Sequence, residues 1–255
     1  GGMLSVPLSE AEVTPLLVDG ISIAAINTPG LCVLSGPKAA VARMGEVLEA
    51  KGIEYTALHI SAAAHSSMVE PILEKFGAFL RTLRFEPPRI PYVSTLTGTW
   101  ITPEQATSPD HWVSHLRNTV RYSDSIEVLL AEPEYAFLEV GPGQTLSVLT
   151  RQHPARKPSH VVAPSLRHPK ERTPDTEFLL NTLGRLWLAG VDIDWRGFYK
   201  DEVRRRVSLP TYPYERKRYW LDAPRTGAAH AARALAAPAA PGAAAPAAAP
   251  EPRQN

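Results

Sequence analysis

The chain has 255 residues, 44% of them hydrophobic, enough for one large domain or two small ones with a buried core. Its 27 basic and 26 acidic side chains nearly cancel, so no overall field favours nucleic acid or an anionic membrane surface. A single cysteine, Cys32, excludes an internal disulfide and any multi-cysteine zinc site, which fits a reducing compartment and makes the cytoplasm the expected location. No apolar run approaches the roughly 20 residues that span a bilayer. The start, Gly1-Gly2-Met3-Leu4, has no basic leader and runs directly into patterned sequence, as though cut from something longer.

Met3 to Pro7 reads as a strand, and Ser9-Glu10-Ala11-Glu12 as a capping box opening a helix to about Leu17. Ile21 to Ile26 and Leu31 to Leu34, on either side of Asn27-Thr28-Pro29-Gly30, form a predicted hairpin. Ser35-Gly36-Pro37 opens a second helix with proline in its first turn, Gly52 stops it, and Glu54 to Ser61 is the next strand. The order β-α-β-β-α-β is that of a ferredoxin-like split βαβ unit.

Ser66 to Leu83 has the apolar spacing of an amphipathic helix. Further on, Tyr92 to Thr95 is a predicted strand, Asp110 a predicted cap for a helix through Arg117, and Ser123 to Leu130 another helix. Tyr135 to Val140 is a strand ending in Gly141-Pro142-Gly143, followed by a helix from Thr145 to Arg151, a strand from Val161 to Ala163 and an amphipathic helix through Leu188. Such alternation predicts α/β architecture. Val191 to Trp195 and Val207 to Trp220 are proline- and aromatic-rich, with Leu209 to Tyr214 predicted extended and packed on a surface by its rings, while residues 221–255, rich in Ala and Pro, cannot bury enough surface to order themselves.

His65 lies where a strand gives way to a helix, beside the small Ala62, Ala63 and Ala64 that leave room for a ligand. An imidazole with a pKa near neutrality is a natural proton acceptor for an alcohol nucleophile. A nucleophilic serine needs a sharp Gly-x-Ser-x-Gly turn, and none occurs. Ser66 and Ser67 are better read as helix caps. Gly141-Pro142-Gly143 lacks the spacing and lysine of a phosphate loop and reads as a tight turn. His111 and His115 have the i, i+4 spacing of two metal ligands, but without an intervening glutamate no metal site is assigned. Arg204-Arg205-Arg206 reads as a solvated charged segment.

Assembled in order, the motifs are Gly2-Met3-Leu4, Ala25-x-Asn27-x-Pro29 with Val33-x-Ser35-Gly36, His65-Ser66 with Glu70-Pro71, and Trp112-x-x-His115-Leu116-Arg117-x-Thr119-Val120-Arg121-Tyr122-Ser123. Phe137-Leu138-Glu139-Val140-Gly141-Pro142-Gly143 and Leu209-Pro210-Thr211-Tyr212-Pro213-Tyr214-x-Arg216-x-Arg218-Tyr219-Trp220 complete the set. Over residues 1 to about 220 this resembles the C-terminal half of the acyltransferase domain of a type I modular polyketide synthase, followed by the linker after that domain.

The resemblance implies a ferredoxin-like subdomain at 1–61, the C-terminal part of an α/β-hydrolase-like large subdomain at 62–165, a post-acyltransferase linker at 166–220 and a flexible Ala/Pro tail at 221–255. It implies ping-pong transfer of an extender acyl group from coenzyme A to the phosphopantetheine thiol of an acyl carrier protein, with no bound cofactor and no metal. His65 would be the general base, oriented by a backbone carbonyl near Arg121. Ala62, Ala63, Ala64 and Asn27 would border the substrate.

The serine, the arginine for the extender carboxylate and the oxyanion-hole glutamine would lie upstream of residue 1. The chain alone is therefore expected to be inactive and aggregation-prone. Relatives often carry His-Ala-Phe-His for malonyl and Tyr-Ala-Ser-His for methylmalonyl. Ala62-Ala63-Ala64-His65 matches neither, and malonyl is favoured on frequency alone. The implied partners are the carrier protein, the upstream half of the acyltransferase and the adjacent ketosynthase. A non-catalytic scaffold that docks the acyltransferase against neighbouring domains is the alternative.

Overall fold

Four antiparallel strands organise the N-terminal part of the chain in the computed structural model, which describes residues 1–217 apart from 59, 61, 204 and 216. Gly1–Phe198 form one compact unit and the chain from Tyr199 onward a second. The first unit begins β1 (Gly2–Val6), α1 (Glu10–Val13), β2 (Ser22–Thr28), β3 (Leu31–Gly36), α2 (Lys38–Ala50) and β4 (Thr56–Leu58). The sheet order is β2-β3-β1-β4, with Leu4 opposite Leu34 and Ala57.

Local chemistry explains where these elements start and stop. The Ser9 box forms as expected: its Oγ accepts from the Glu12 amide at 3.3 Å, and its own amide donates to Glu12 Oε2 at 2.9 Å. These bonds hold the Glu12 carboxyl below its usual pKa. Pro15 has no amide, and α1 tightens into a 3-10 turn, Thr14–Leu16, in place of a helix to Leu17. Pro37 sits one place earlier than expected, capping α2 from outside.

β4 is shorter than the predicted 54–61 segment, of which His59 and Ser61 lie outside the described residues. Leu4, Val6, Val13, Ile26, Cys32 and Leu34 pack with Met44 and Leu48 of α2 into the core. Burial there pushes the Cys32 thiol up to about 11. Leu34 is fully buried, and Leu34→Ala should destabilise this unit by roughly 3 kcal/mol, read as a lower urea midpoint.

The predicted helix over 66–83 divides into a 3-10 turn, Ser67–Val69, and α3 (Glu70–Leu80), because Ser66 caps the former and Pro71 fits only the first turn of the latter. A small hairpin follows, β5 (Val93–Ser94) with β6 (Thr99–Trp100). Gly98 turns it at φ +72°, where a Cβ would lie 2.7 Å from that of Asp124. Thr102 and Gln105 make a second capping box for α4 (Pro103–Thr107), a helix the sequence reading missed.

In α5 (Pro109–Arg117) the N-cap position belongs to Ser108. The expected cap, Asp110, lies in the first turn and pairs with Arg81 at 2.8 Å. Then come α6 (Tyr122–Leu130), β7 (Ala136–Glu139), α7 (Thr145–Gln152), β8 (Val161–Pro164), α8 (Asp175–Leu188) and α9 (Trp195–Phe198). β7 and β8 are a parallel pair with α7 crossing between them. Trp195 begins α9, where its ring meets Trp187 edge-on. Leu209 to Tyr214, expected to be extended, form no helix or strand and are exposed; of the wider 207–220 segment, 216 and 218–220 lie outside the described residues. Arg204 and the predicted tail at 221–255 lie outside the described residues.

Candidate active site

His65 stands at the junction between β4 and α3 with φ +57°, the one non-glycine residue of positive φ among those described. Histidine is one of the few side-chain-bearing types enriched in that left-handed region. Its neighbours hold the turn closed. Ser66 is fully buried, and its Oγ donates to the Ala63 carbonyl at 2.7 Å and accepts from the Met68 amide at 3.3 Å. Both hydroxyl functions are therefore engaged in capping. Ala63 is buried below the turn, while Ala62 is exposed and Ala64 half-buried.

His65 Nδ1 lies 2.9 Å from the carbonyl oxygen of Asn118. A carbonyl can only accept, so Nδ1 carries the hydrogen and Nε2 is left with its lone pair available for a proton. This corrects the expectation that placed the orienting carbonyl near Arg121. Arg121 is the N-cap of α6, and its carbonyl accepts from the Ser125 amide at 3.0 Å and the Ser125 hydroxyl at 2.7 Å. Its guanidinium pairs with Asp124 and, at 3.3 Å, with Glu10.

Asn118 is positioned from two sides. It ends α5, where its amide and its Nδ2 both bond the Ser114 carbonyl. The next two residues are zipped along the outer edge of β2: Thr119 Oγ1 donates to Ile23 O at 2.7 Å, the Val120 amide to Ala24 O at 2.8 Å, and the Ile26 amide to Val120 O at 2.9 Å. On the other side, Glu70 of α3 takes Arg117 of α5 at 2.9 Å, and Gly77 gives Val113 room to approach. The first sheet thus sets the carbonyl, and the α3–α5 contact sets the ring. Asn27 also lies on β2, one residue past Ile26, without a hydrogen bond to His65.

His115 presents its ring edge-on to His65, with centroids 6.2 Å apart. Its Nε2 bonds Thr95 Oγ1 at 2.8 Å, and His111 Nε2 bonds Ser94 Oγ at 3.2 Å. The i, i+4 pair is thus occupied by two neighbouring hydroxyls, and no cluster of three metal-binding side chains occurs among the described residues. Burial lowers the pKa of both rings, and of His153 behind Ser123. For His115 the nearby His65 and His111 lower it further.

The sign of the pH dependence follows. With folded-state pKa values below the ordinary 6.5, the unfolded chain takes up protons first as pH falls, so stability drops below about pH 6.5. Thermal midpoints should fall between about pH 7 and about pH 5, and His153→Gln should flatten that fall.

At the end of β7, Gly141 and Gly143 both have positive φ, and the turn between them brings the Glu139 carboxylate to the start of α7. It accepts from the amides of Leu146 at 3.1 Å and Ser147 at 2.8 Å. Those amides are where a phosphate loop would hold its ligand, so the glycines serve a tight turn closed by an internal anion.

The acyl transferase domain model matches residues 1–193. The chain belongs to the acyl transferase family. Among curated relatives, the chain is 35% identical over 226 residues to a phenolphthiocerol/phthiocerol polyketide synthase protein of Mycobacterium tuberculosis. That match covers 89% of the chain and 15% of the relative. It is 36% identical over 236 residues to the spectinabilin polyketide synthase system protein NorB of Streptomyces orinoci, covering 91% of the chain and 11% of that protein.

Among solved structures, the acyl transferase domain of SpnD, in complex with 2-(pent-4-yn-1-yl)malonyl, is 42% identical with a TM-score of 0.71 over 74% of this chain and 46% of that one. The acyl transferase domain of ZmaA is 37% identical with a TM-score of 0.74 over 82% and 49%. The chain thus has the α/β fold of polyketide synthase acyltransferase domains and spans about half of the domains it matches.

Proposed function

We propose that this chain supplies the general base of a polyketide synthase acyltransferase, which moves an extender acyl group from coenzyme A to an acyl carrier protein by a Ser-His ping-pong mechanism. The observation that carries the reading is the His65–Asn118 hydrogen bond, which leaves Nε2 as the proton acceptor. In the first half-reaction Nε2 takes the serine proton as its oxygen attacks the thioester, then returns it to the departing thiol of coenzyme A. In the second it deprotonates the phosphopantetheine thiol and reprotonates the serine. The chain holds no cofactor of its own in this scheme.

The serine, the carboxylate-binding arginine and the oxyanion donors come from the upstream half of the domain, since the sequence contains no serine elbow. Met68, Ile72, Phe79 and Leu83 around α3, and Leu138 and Val140 at β7, are large apolar side chains left exposed, which supports a partner surface here. We read 1–61 as a ferredoxin-like subdomain on the strength of its strand order, 62–165 as part of the large subdomain and 166–220 as the linker toward the ketosynthase. Ala62, Ala63, Ala64 and Asn27 border the acyl site, with malonyl favoured over methylmalonyl. Among the described residues no helix is long and apolar enough to cross a membrane, and the proposed setting is the cytoplasm.

Radiolabelled malonyl-CoA tests this. The 255-residue chain should remain unlabelled, and a longer polypeptide with the upstream half should form a covalent acyl-enzyme. Label on the short chain would place the nucleophile inside it; no label on the longer one would end the enzyme reading.

A further inference from the structure

A cleft of about 480 Å³ opens beside β8, its wall formed by Arg151 of α7, Arg156 of the following loop and Arg185 of α8, with Pro158, Leu188 and Ala189 at its rim. No carboxylate lines it. Arg151 Nη2 and Arg185 Nη2 donate to the same oxygen, the Val162 carbonyl, at 3.2 and 3.3 Å, and Arg156 Nη2 donates to the His160 carbonyl at 3.4 Å. Among the described residues none of the three joins an ion pair. The His160 ring offers nothing to the cleft, since both its nitrogens are engaged, one with Glu132 O at 3.0 Å and the other with the Lys157 amide at 3.1 Å.

Sealing the free edge of β8 explains part of this arrangement, because arginines on unpaired carbonyls discourage strand addition. It does not explain the convergence. The two lone pairs of the Val162 carbonyl can take both donors, but the two cations that meet there repel one another. Each guanidinium has five N–H donors and uses one nitrogen on a carbonyl, leaving a forked set of donors near the cleft. A multivalent oxyanion would relieve the repulsion and accept those donors in the planar, bidentate geometry arginine prefers.

We propose that this cleft is a binding site for a phosphate group, taken either as free phosphate or pyrophosphate or as the phosphate of an organic ester whose body rests on Pro158, Leu188 and Ala189. The cleft shares no lining residue with the turn at His65 or with Asn118, and the proposal does not depend on the acyl-transfer reading.

Calorimetric titration of pyrophosphate into the polypeptide carrying this chain, at constant low ionic strength, tests the proposal. Arg185 is exposed on α8, and glutamine has nearly the same helix propensity, so Arg185→Gln should fold as the wild type does. Arg185→Gln and Arg151→Gln should each weaken binding by at least about tenfold. Arg81→Gln, whose arginine already pairs with Asp110, should leave it unchanged. Tighter binding of adenosine 3′,5′-bisphosphate than of pyrophosphate would identify an ester as the source, and equal or weaker binding a free phosphate. No binding to the wild type, as when carboxylates of the synthase fill the cleft, or wild-type affinity in both glutamine variants, would overturn the proposal.

Discussion

Replacing His65 by alanine in an acyltransferase completed by its upstream half should slow formation of the acyl-enzyme by about a thousandfold, within the range general acid–base catalysis contributes. The effect should be large because the ring has no substitute. Ser66 is committed to Ala63 and Met68, His115 to Thr95, and His111 to Ser94. His115 and His111 are each tied to a hydroxyl through Nε2, and burial holds both below the ordinary histidine pKa, which makes them weaker bases than an ordinary imidazole. A single-turnover rate with malonyl-CoA is the direct measurement, and thermal unfolding of the same sample separates lost chemistry from lost fold. A loss under about tenfold would remove His65 from the mechanism.

Val120→Pro should combine a large stability cost with a loss of rate, although Val120 makes no hydrogen bond to His65. Proline deletes the amide that donates to Ala24 O, which strips a bond from the strip holding Asn118 against β2. A proline in such a hydrogen-bonded position costs about 3 kcal/mol. The Asn118 carbonyl then loses its fixed place, and His65 Nδ1 loses the acceptor that sets its tautomer. The completed enzyme should therefore show a lower kcat with KM nearly unchanged, together with a lower urea midpoint. Thr119→Val removes only the hydroxyl bond to Ile23 O and should cost about 1 kcal/mol, with a correspondingly smaller change in rate. If Val120→Pro destabilises the protein yet leaves kcat unchanged, the strip does not position the histidine.

The parts of the fold legible in the sequence are those whose cause is local. The box at Ser9 and Glu12, the turn at Pro29-Gly30 and the stop at Gly52 each lie within a few residues of their effect, and the strand–helix order of the first unit follows from them. The sequence pattern makes β4 and α3 longer than they are, because periodicity continues past the points where Ser66 and Pro71 fix the helix start. The site divides in the same way. His65 was legible from a side chain and its setting. The Asn118 carbonyl was not, because every residue has a carbonyl and only the pairing of 119–120 with β2 selects one. Glu139 was hidden for a related reason: its carboxylate reaches the α7 amides across a turn whose path depends on two glycines of positive φ.

The left-handed backbone at His65 also restricts what can replace it over evolutionary time. Most β-branched or bulky residues would carry a conformational penalty there before any question of chemistry arose, whereas glycine, asparagine and aspartate would not. A lineage that lost acyl transfer while keeping this fold would therefore be expected to drift toward those three residues at position 65. The identity of the residue in a silent domain would record the shape of the turn long after the base itself had gone.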